Sequence, residues 1–172
     1  MNRKIFLTVL ALAAVLLAVP YVGMAHATTY ATVNGTITVG PETAPLKTIP
    51  LGDGNYLYIF AITEYWTGDI VGAGSTTASY WLAHDIFITA TSYTLLPDFT
   101  LNIFEILNFH GTVLGQTGTW ETAVYLHFDA SQIYGSWVIL GGTGGLAHLH
   151  GHGTISAPNY PISYEYTGQV HF

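Results

Sequence analysis

Three histidines spaced two residues apart, His148, His150 and His152, are the side chains whose type and spacing most clearly suggest chemistry. Imidazole is the commonest metal ligand in proteins, and two imidazoles on one strand face can converge on one ion. The alternation from Leu146 to Gly153 predicts a β-strand that carries all three histidines on one face. The row therefore indicates a candidate zinc or copper site.

Strand geometry limits how many of these histidines one ion can use. His148 and His152 would lie roughly 13 Å apart at Cα, so a straight strand offers only the pair His148 and His150. A tighter site needs a ligand from a neighbouring strand, and His127 and His171 are the candidates. The competing interpretation, which we favour, is that the row decorates a solvent-facing surface and binds no metal.

Glu64 is the second candidate, because it interrupts an apolar and aromatic strand face. Alternation places it with Tyr58, Phe60 and Trp66, and these four residues would form the wall of a ligand site if that face lines an interior. A carboxyl in apolar surroundings acquires a raised pKa, which suits a general acid or base. Glu64 also stands close to a turn, and we expect it to reach water there, so it is a weak catalytic candidate.

The elements that must position these residues are all β-strands. Tyr56–Thr67 and Ile70–Ala83 predict a hairpin through the turn at Gly68-Asp69, and residues 101–108 predict a strand rather than a short helix. A loop at Leu96–Asp98 separates two further strands. Short connections between eight to ten strands favour a single antiparallel up-and-down β-barrel of about eight strands, with a sandwich as the alternative.

The N-terminus has the pattern of a signal peptide. Arg3 and Lys4 precede an apolar run, and Ala25-His-Ala27 resembles a signal-peptidase site. Cleavage after Ala27 divides the chain into a signal peptide, residues 1–27, and one β-barrel domain, residues 28–172. We expect a secreted protein without a stable membrane anchor, since the apolar run is short for a span. An uncleaved anchor is the competing interpretation.

Composition narrows the class of partner. Of the three Lys and Arg residues only Lys47 follows the predicted signal peptide, against 10 acidic residues in the chain. Such a chain lacks the cations that nucleic acids, anionic lipids and phosphorylated substrates require, so we expect no nucleic-acid partner. The sequence contains no Cys, which excludes disulfides. A homo-oligomer remains open, as does glycosylation at Asn34.

The second half of the chain resembles DUF3224, a family of small bacterial and archaeal proteins of unknown function. Three sequence runs carry the resemblance: the turn Trp66–Gly72, the paired runs Gly111–Gly115 and Gly118–Trp120, and the Gly-rich run Gly142–Thr154. The resemblance covers roughly residues 63–172. This sequence departs from the family pattern at His150 and His152, where relatives more often carry charged residues.

This resemblance implies a fold similar to the allene oxide cyclase and dirigent barrels, with a central cavity as in lipocalin-like barrels. The family has no established catalytic residues to carry over. We therefore expect a binding protein for a small apolar or aromatic molecule, and not an enzyme. A cyclase- or isomerase-like enzyme that uses Glu64 is the alternative, and a metal-binding or structural surface protein is the third possibility.

Overall fold

The protein folds as one antiparallel β-sheet. The computed structural model describes residues 29–40, 44–88, 93–157 and 163–172, so the predicted signal peptide lies outside the described residues. Those ranges contain no helix, and consequently none that is long and apolar enough to cross a membrane. The strands are β1 (Ala31–Val39), β2 (Lys47–Gly52), β3 (Asn55–Gly68), β4 (Ile70–Ile88), β5 (Tyr93–Val113), β6 (Gln116–Asp129), β7 (Ile133–Gly144), β8 (His150–Ser156) and β9 (Tyr164–His171).

The sheet closes into a ring. Its strand order is β1-β9-β8-β7-β6-β5-β4-β3-β2, and β1 also pairs with β3. β1 pairs with the second half of β3, from Glu64 to Gly68, while β2 pairs with its first half, from Asn55 to Ile59. Because β1 joins β3 to β9, the described strands form a continuous circuit of backbone pairing. The prediction of an all-β, closed antiparallel architecture is confirmed.

The predicted hairpin at Gly68-Asp69 is also confirmed. β3 and β4 pair antiparallel from Asn55↔His84 to Trp66↔Gly72. Gly68 adopts a φ of 105°, which residues with a side chain rarely tolerate. A Cβ there would also lie 2.5 Å from the carbonyl oxygen of Asn34 on β1. This turn therefore requires glycine both for its backbone angle and for the close approach of β1 that closes the ring.

The predicted loop at Leu96–Asp98 is wrong, because these residues belong to β5. This strand runs without interruption from Tyr93 to Val113. The turn chemistry of Pro97 and Asp98 does not end it. Instead the pairing with β4 shifts between His84 and Ile86, where Asp85 takes a positive φ of 54°. Residues 96–99 of β5 therefore stand opposite the single residue Asp85 of β4, so the irregularity that the sequence placed in a loop is a bulge within β5 itself.

The predicted strand from Leu146 to Gly153 is wrong in its first half. Residues 145–148 form a turn, and β8 begins only at His150. Leu146 and Leu149 are fully buried, and they fix this turn against the end of the sheet. His148 therefore lies in the turn and not in a row with the histidines of β8.

The interior of the ring has two different halves. In one half large aromatic rings fill the space: Trp66 stacks on Tyr166 at 4.8 Å between ring centroids, and Phe109 stacks on Trp120 at 5.0 Å. Trp137 meets Trp66 edge to face at 5.8 Å. Aromatic packing of this kind stabilises the fold beyond the burial of area alone. We call these five residues the aromatic half; the other half encloses a cavity.

Candidate functional site: a buried carboxyl pair in an apolar cavity

A cavity of about 350 Å³ lies in the second half of the ring. Apolar side chains from several strands form most of its wall, while Asp129 and Ala130, where β6 ends, lie at its outer end. Two carboxyls, Glu64 and Glu105, are its polar inner groups. The described residues that line it are Val39, Ile62, Glu64, Trp81, Ile86, Ile88, Leu95, Phe99, Leu101, Ile103, Glu105, Leu126, Phe128, Asp129, Ala130, Ile133 and Tyr164.

Strand alternation brings the two carboxyls inside. On β3 the residues with even numbers from Tyr58 to Trp66 face the interior, and Glu64 is one of them. On β5 the buried residues alternate from Leu101 to Phe109, with Glu105 in the middle. Since β4 is the strand between them, the two glutamates reach toward each other from two strands that are next-nearest neighbours.

Short hydrogen bonds hold each carboxyl in place. The Trp66 Nε1–H donates to Oε2 of Glu64 at 2.8 Å. The Ser79 hydroxyl of β4 donates to Oε2 of Glu105 at 2.7 Å, and Trp81 Nε1–H donates to that hydroxyl at 2.7 Å. The two carboxyls also lie close enough for each to affect the pKa of the other. Both are almost fully buried, with 2 % of Glu64 and 1 % of Glu105 exposed.

Burial disfavours charge on this carboxyl pair, by which we mean Glu64 and Glu105. Desolvation raises the pKa of Glu64 above its usual value, against the lowering effect of its hydrogen bonds from Trp66 and Glu105. Desolvation and then the charge of Glu64 raise the pKa of Glu105 further. Because each carboxyl affects the ionisation of the other, the pair titrates as one unit and shares a proton, as close carboxyls do.

Asp129, at the outer end of the cavity, behaves in the opposite way. The Ser131 hydroxyl and backbone N–H, both bonded to its Oδ1, lower the pKa of Asp129 to about 2. This carboxylate is therefore ionised at any ordinary pH. None of the described residues that line the cavity is Lys, Arg or His. The described part of the lining thus combines an apolar wall with acidic groups and no basic one.

The predicted ligand-wall residues divide between cavity and core. Glu64 lines the cavity, and the expectation that it reaches water at a strand end is wrong, because the ring closes over it. Tyr58, Phe60 and Trp66 are buried on the same face but pack into the core instead. The Tyr58 hydroxyl donates to the Ile86 carbonyl at 3.1 Å, and Phe60 packs on Trp81 at 4.4 Å.

Glu105 and Ser79 are the site residues that sequence reasoning missed. The run Leu101, Ile103, Glu105, Leu107 and Phe109 places Glu105 at the centre of an apolar alternation, which was a readable signal of an inward carboxyl. Ser79 gave no comparable signal, since it lies beside a shift in the pairing of β4 and β5 between Ser75 and Tyr80. Its inward direction depends on that bulge.

The structure brings His150 and His171 together but places His127 elsewhere. His150 pairs with His171 across β8 and β9, and their rings stack at 5.2 Å between centroids. His127 pairs with Tyr134, which pairs with Ser156 at the other end of β8, about 20 Å from His150 by strand rise. It hydrogen-bonds Asn102 at 2.9 Å instead. Among the described residues no group of three or more His, Cys, Asp or Glu could hold a metal ion.

The His150–His171 pair predicts weak binding of Zn²⁺ or Cu²⁺. Burial, followed by the charges of His150 and His152, lowers the pKa of His171, which favours the neutral imidazole that a metal requires. Two imidazoles supply only half of the donors of a tetrahedral zinc site. In a calorimetric titration we expect His150→Ala to abolish this weak binding and His84→Ala to retain it. Equal binding by wild type and His150→Ala would contradict the prediction.

Comparisons with known proteins agree with the fold. The sequence matches no protein-family model and no curated protein. Among solved structures, the chain is similar to a protein of unknown function from the DUF3224 family of Shewanella oneidensis MR-1, with a TM-score of 0.60 and 19 % sequence identity. The similarity covers 84 % of this chain and 98 % of that one. The predicted resemblance to DUF3224 is thereby confirmed at the level of the fold.

Proposed function

We propose that this protein binds a small apolar or aromatic molecule in the cavity of its closed sheet. The observation that carries the proposal is the cavity of about 350 Å³ with a largely apolar wall. Cavities of this size and character match the sites that proteins use for small ligands, in which a few polar groups fix the orientation. The carboxyl pair supplies those groups here.

The two halves of the interior differ in how fully side chains fill them, and this difference supports a ligand-binding role for the cavity. Stacked rings fill the aromatic half, so the sequence has the large side chains needed to pack a closed sheet. The cavity half is lined mainly by Ile, Leu and Phe, with Glu64 and Glu105 at the inner end. A protein that only needed stability would gain by filling this space, since empty apolar volume is destabilising.

A neutral fluorescent probe tests the proposal. N-phenyl-1-naphthylamine fluoresces in apolar surroundings, and we expect saturable binding to the purified protein with one site. Ile62→Trp adds a large side chain to the cavity wall and should weaken binding at least tenfold. Tyr65→Trp changes the outer, 47 % exposed face of the same strand and should leave binding unchanged. Absence of saturable binding, or equal loss in both variants, would overturn the proposal.

Acid–base catalysis is the second candidate function, and the shared proton of the carboxyl pair favours it. A pair with one protonated and one ionised member offers an acid and a base in the same site. An enzyme of the isomerase class would move a proton next to a carbonyl of an apolar substrate. In deuterated water, the exchange of α-protons of 2-decalone should then accelerate with wild type and not with Glu64→Gln. No acceleration by wild type would leave binding as the function.

The proposed place of action is outside the cell. The basic start, the apolar run and Ala25-His-Ala27 predict export with cleavage after Ala27. N-terminal sequencing of the protein secreted by its host should therefore begin at Thr28 or within a few residues of it. Protein that still starts at Met1 in the membrane fraction would favour an uncleaved anchor.

A further inference from the structure

The inner end of the cavity offers hydrogen-bond acceptors in excess of donors. Each glutamate has two oxygens, and an ionised carboxylate accepts at roughly four positions. Within the described ranges, the donors at the pair are Trp66 Nε1–H, the Ser79 hydroxyl and the proton shared between the carboxyls. A ligand that fits this end must therefore bring donors.

The charges of the cavity-lining residues determine which ligand charge is favoured. The pair carries a negative charge when it holds a single proton, and no Lys, Arg or His stands among the cavity-lining residues in the described ranges. Buried charges in proteins are normally paired, because an unpaired one is poorly solvated. Asp129 adds a second carboxylate at the outer end of the cavity. An anionic ligand would meet like charge at both ends, whereas a cation would be attracted at both.

Resting on the proposed binding function, we propose that the natural ligand is an apolar or aromatic amine whose ammonium group binds between Glu64 and Glu105. Its hydrocarbon part would lie against the apolar wall that includes Ile62, Ile103 and Leu126. An ammonium group brings donors and no acceptor, which complements the acceptor-rich inner end. The net acidity of the chain, with a formal charge of −7, favours the approach of such a cation.

A displacement series of three matched molecules tests this proposal. 2-Phenylethylamine, 2-phenylethanol and phenylacetate share a phenyl ring and differ in charge: positive, neutral and negative at neutral pH. Each is titrated against the bound naphthylamine probe. Since hydrogen bonds to charged groups are worth more than neutral ones, the amine should displace the probe at roughly tenfold lower concentration than the alcohol. Phenylacetate should be the weakest of the three.

Variants locate the source of the preference. The double variant Glu64→Gln/Glu105→Gln keeps the size of both side chains and should remove the tenfold advantage of the amine while alcohol and probe still bind. Glu105→Gln alone provides a second, milder variant, in which the advantage should shrink. Asp129→Asn changes the outer carboxylate and should keep most of the preference. Near-ultraviolet circular dichroism verifies that each variant retains the aromatic packing.

The possible results separate the two proposals. If the probe binds but the amine and the alcohol displace it equally, the ligand class is wrong while the binding function stands. A preference that survives the double variant but disappears in Asp129→Asn would overturn the role of the carboxyl pair. If neither the probe nor the amine binds to wild type, the binding function itself fails.

Discussion

The free energy of unfolding should fall as the pH rises above about 4.5, the usual value for Glu, and the double variant Glu64→Gln/Glu105→Gln should lose most of that fall. Both carboxyls have a raised pKa in the folded protein, so the folded state binds more protons than the unfolded state in this range. A carboxyl with a raised pKa contributes its full stabilisation when the pH is below its pKa in the unfolded protein. This stabilisation is lost as the pH rises through its pKa in the folded protein. The slope is about 1.4 kcal/mol per pH unit for each extra proton held.

Other groups with shifted pKa values affect the free energy of unfolding in other pH ranges or with the opposite sign. The pKa of Asp129, lowered to about 2, affects stability only below its usual value of 3.8. That of Tyr166, raised to about 12 mainly by burial, matters only in strong alkali. The lowered pKa of His171 makes stability increase with pH below 6.5. Urea unfolding of wild type and double variant across pH isolates the pair by difference, and parallel curves would contradict the shared-proton account.

Trp66→Ala should destabilise the fold by about 4 kcal/mol or more. Removal of a large buried aromatic side chain typically costs 3–5 kcal/mol through lost packing and the cavity left behind. Trp66 is 1 % exposed and joins the aromatic half to the site, because its ring stacks on Tyr166 and its Nε1–H donates to Glu64. Loss of that donor adds the cost of an unsatisfied buried carboxylate.

Two controls divide this effect. Trp66→Phe keeps an aromatic ring but removes the donor, and it should cost less than Trp66→Ala while raising the pKa of Glu64 further. Tyr65→Ala changes the exposed outer side chain of the next residue, and a change within about 1 kcal/mol is expected there. Urea unfolding at neutral pH measures all three. If Trp66→Ala were no worse than Tyr65→Ala, the ring would not be a central packing element.

Much of the fold was readable because strands obey a simple two-residue period. Tyr58, Phe60, Glu64 and Trp66 were placed on one face by alternation, and the structure has them on one inward face. Gly68-Asp69 was readable as a hairpin turn because its chemistry is local. The burial of Glu64 could not be predicted from the sequence, because it depends on the pairing of β1 with the second half of β3. That pairing joins residues far apart in sequence.

The failures share a physical cause, which is tertiary packing overriding a local pattern. The period from Leu146 to Gly153 fits a strand, but the burial of Leu146 and Leu149 holds the first part in a turn. Strand register determines which of the predicted metal ligands lie close together. His171 pairs with His150, whereas His127 pairs with Asn102. Ser79 entered the site through a bulge in its own strand, β4, whose irregular pairing with β5 no propensity rule predicts.

Methyl-resolved NMR during a titration with 2-phenylethylamine tests the central claim most directly, since isoleucines report separately on the two halves of the interior. The isoleucines that line the cavity are Ile62, Ile86, Ile88, Ile103 and Ile133. Those buried in the core away from its lining are Ile37, Ile70, Ile139 and Ile155. We predict saturable shifts of the δ1-methyl signals in the first group and little change in the second. Shifts confined to the second group or to exposed residues, or no saturable shift at all, would contradict a ligand site in this cavity.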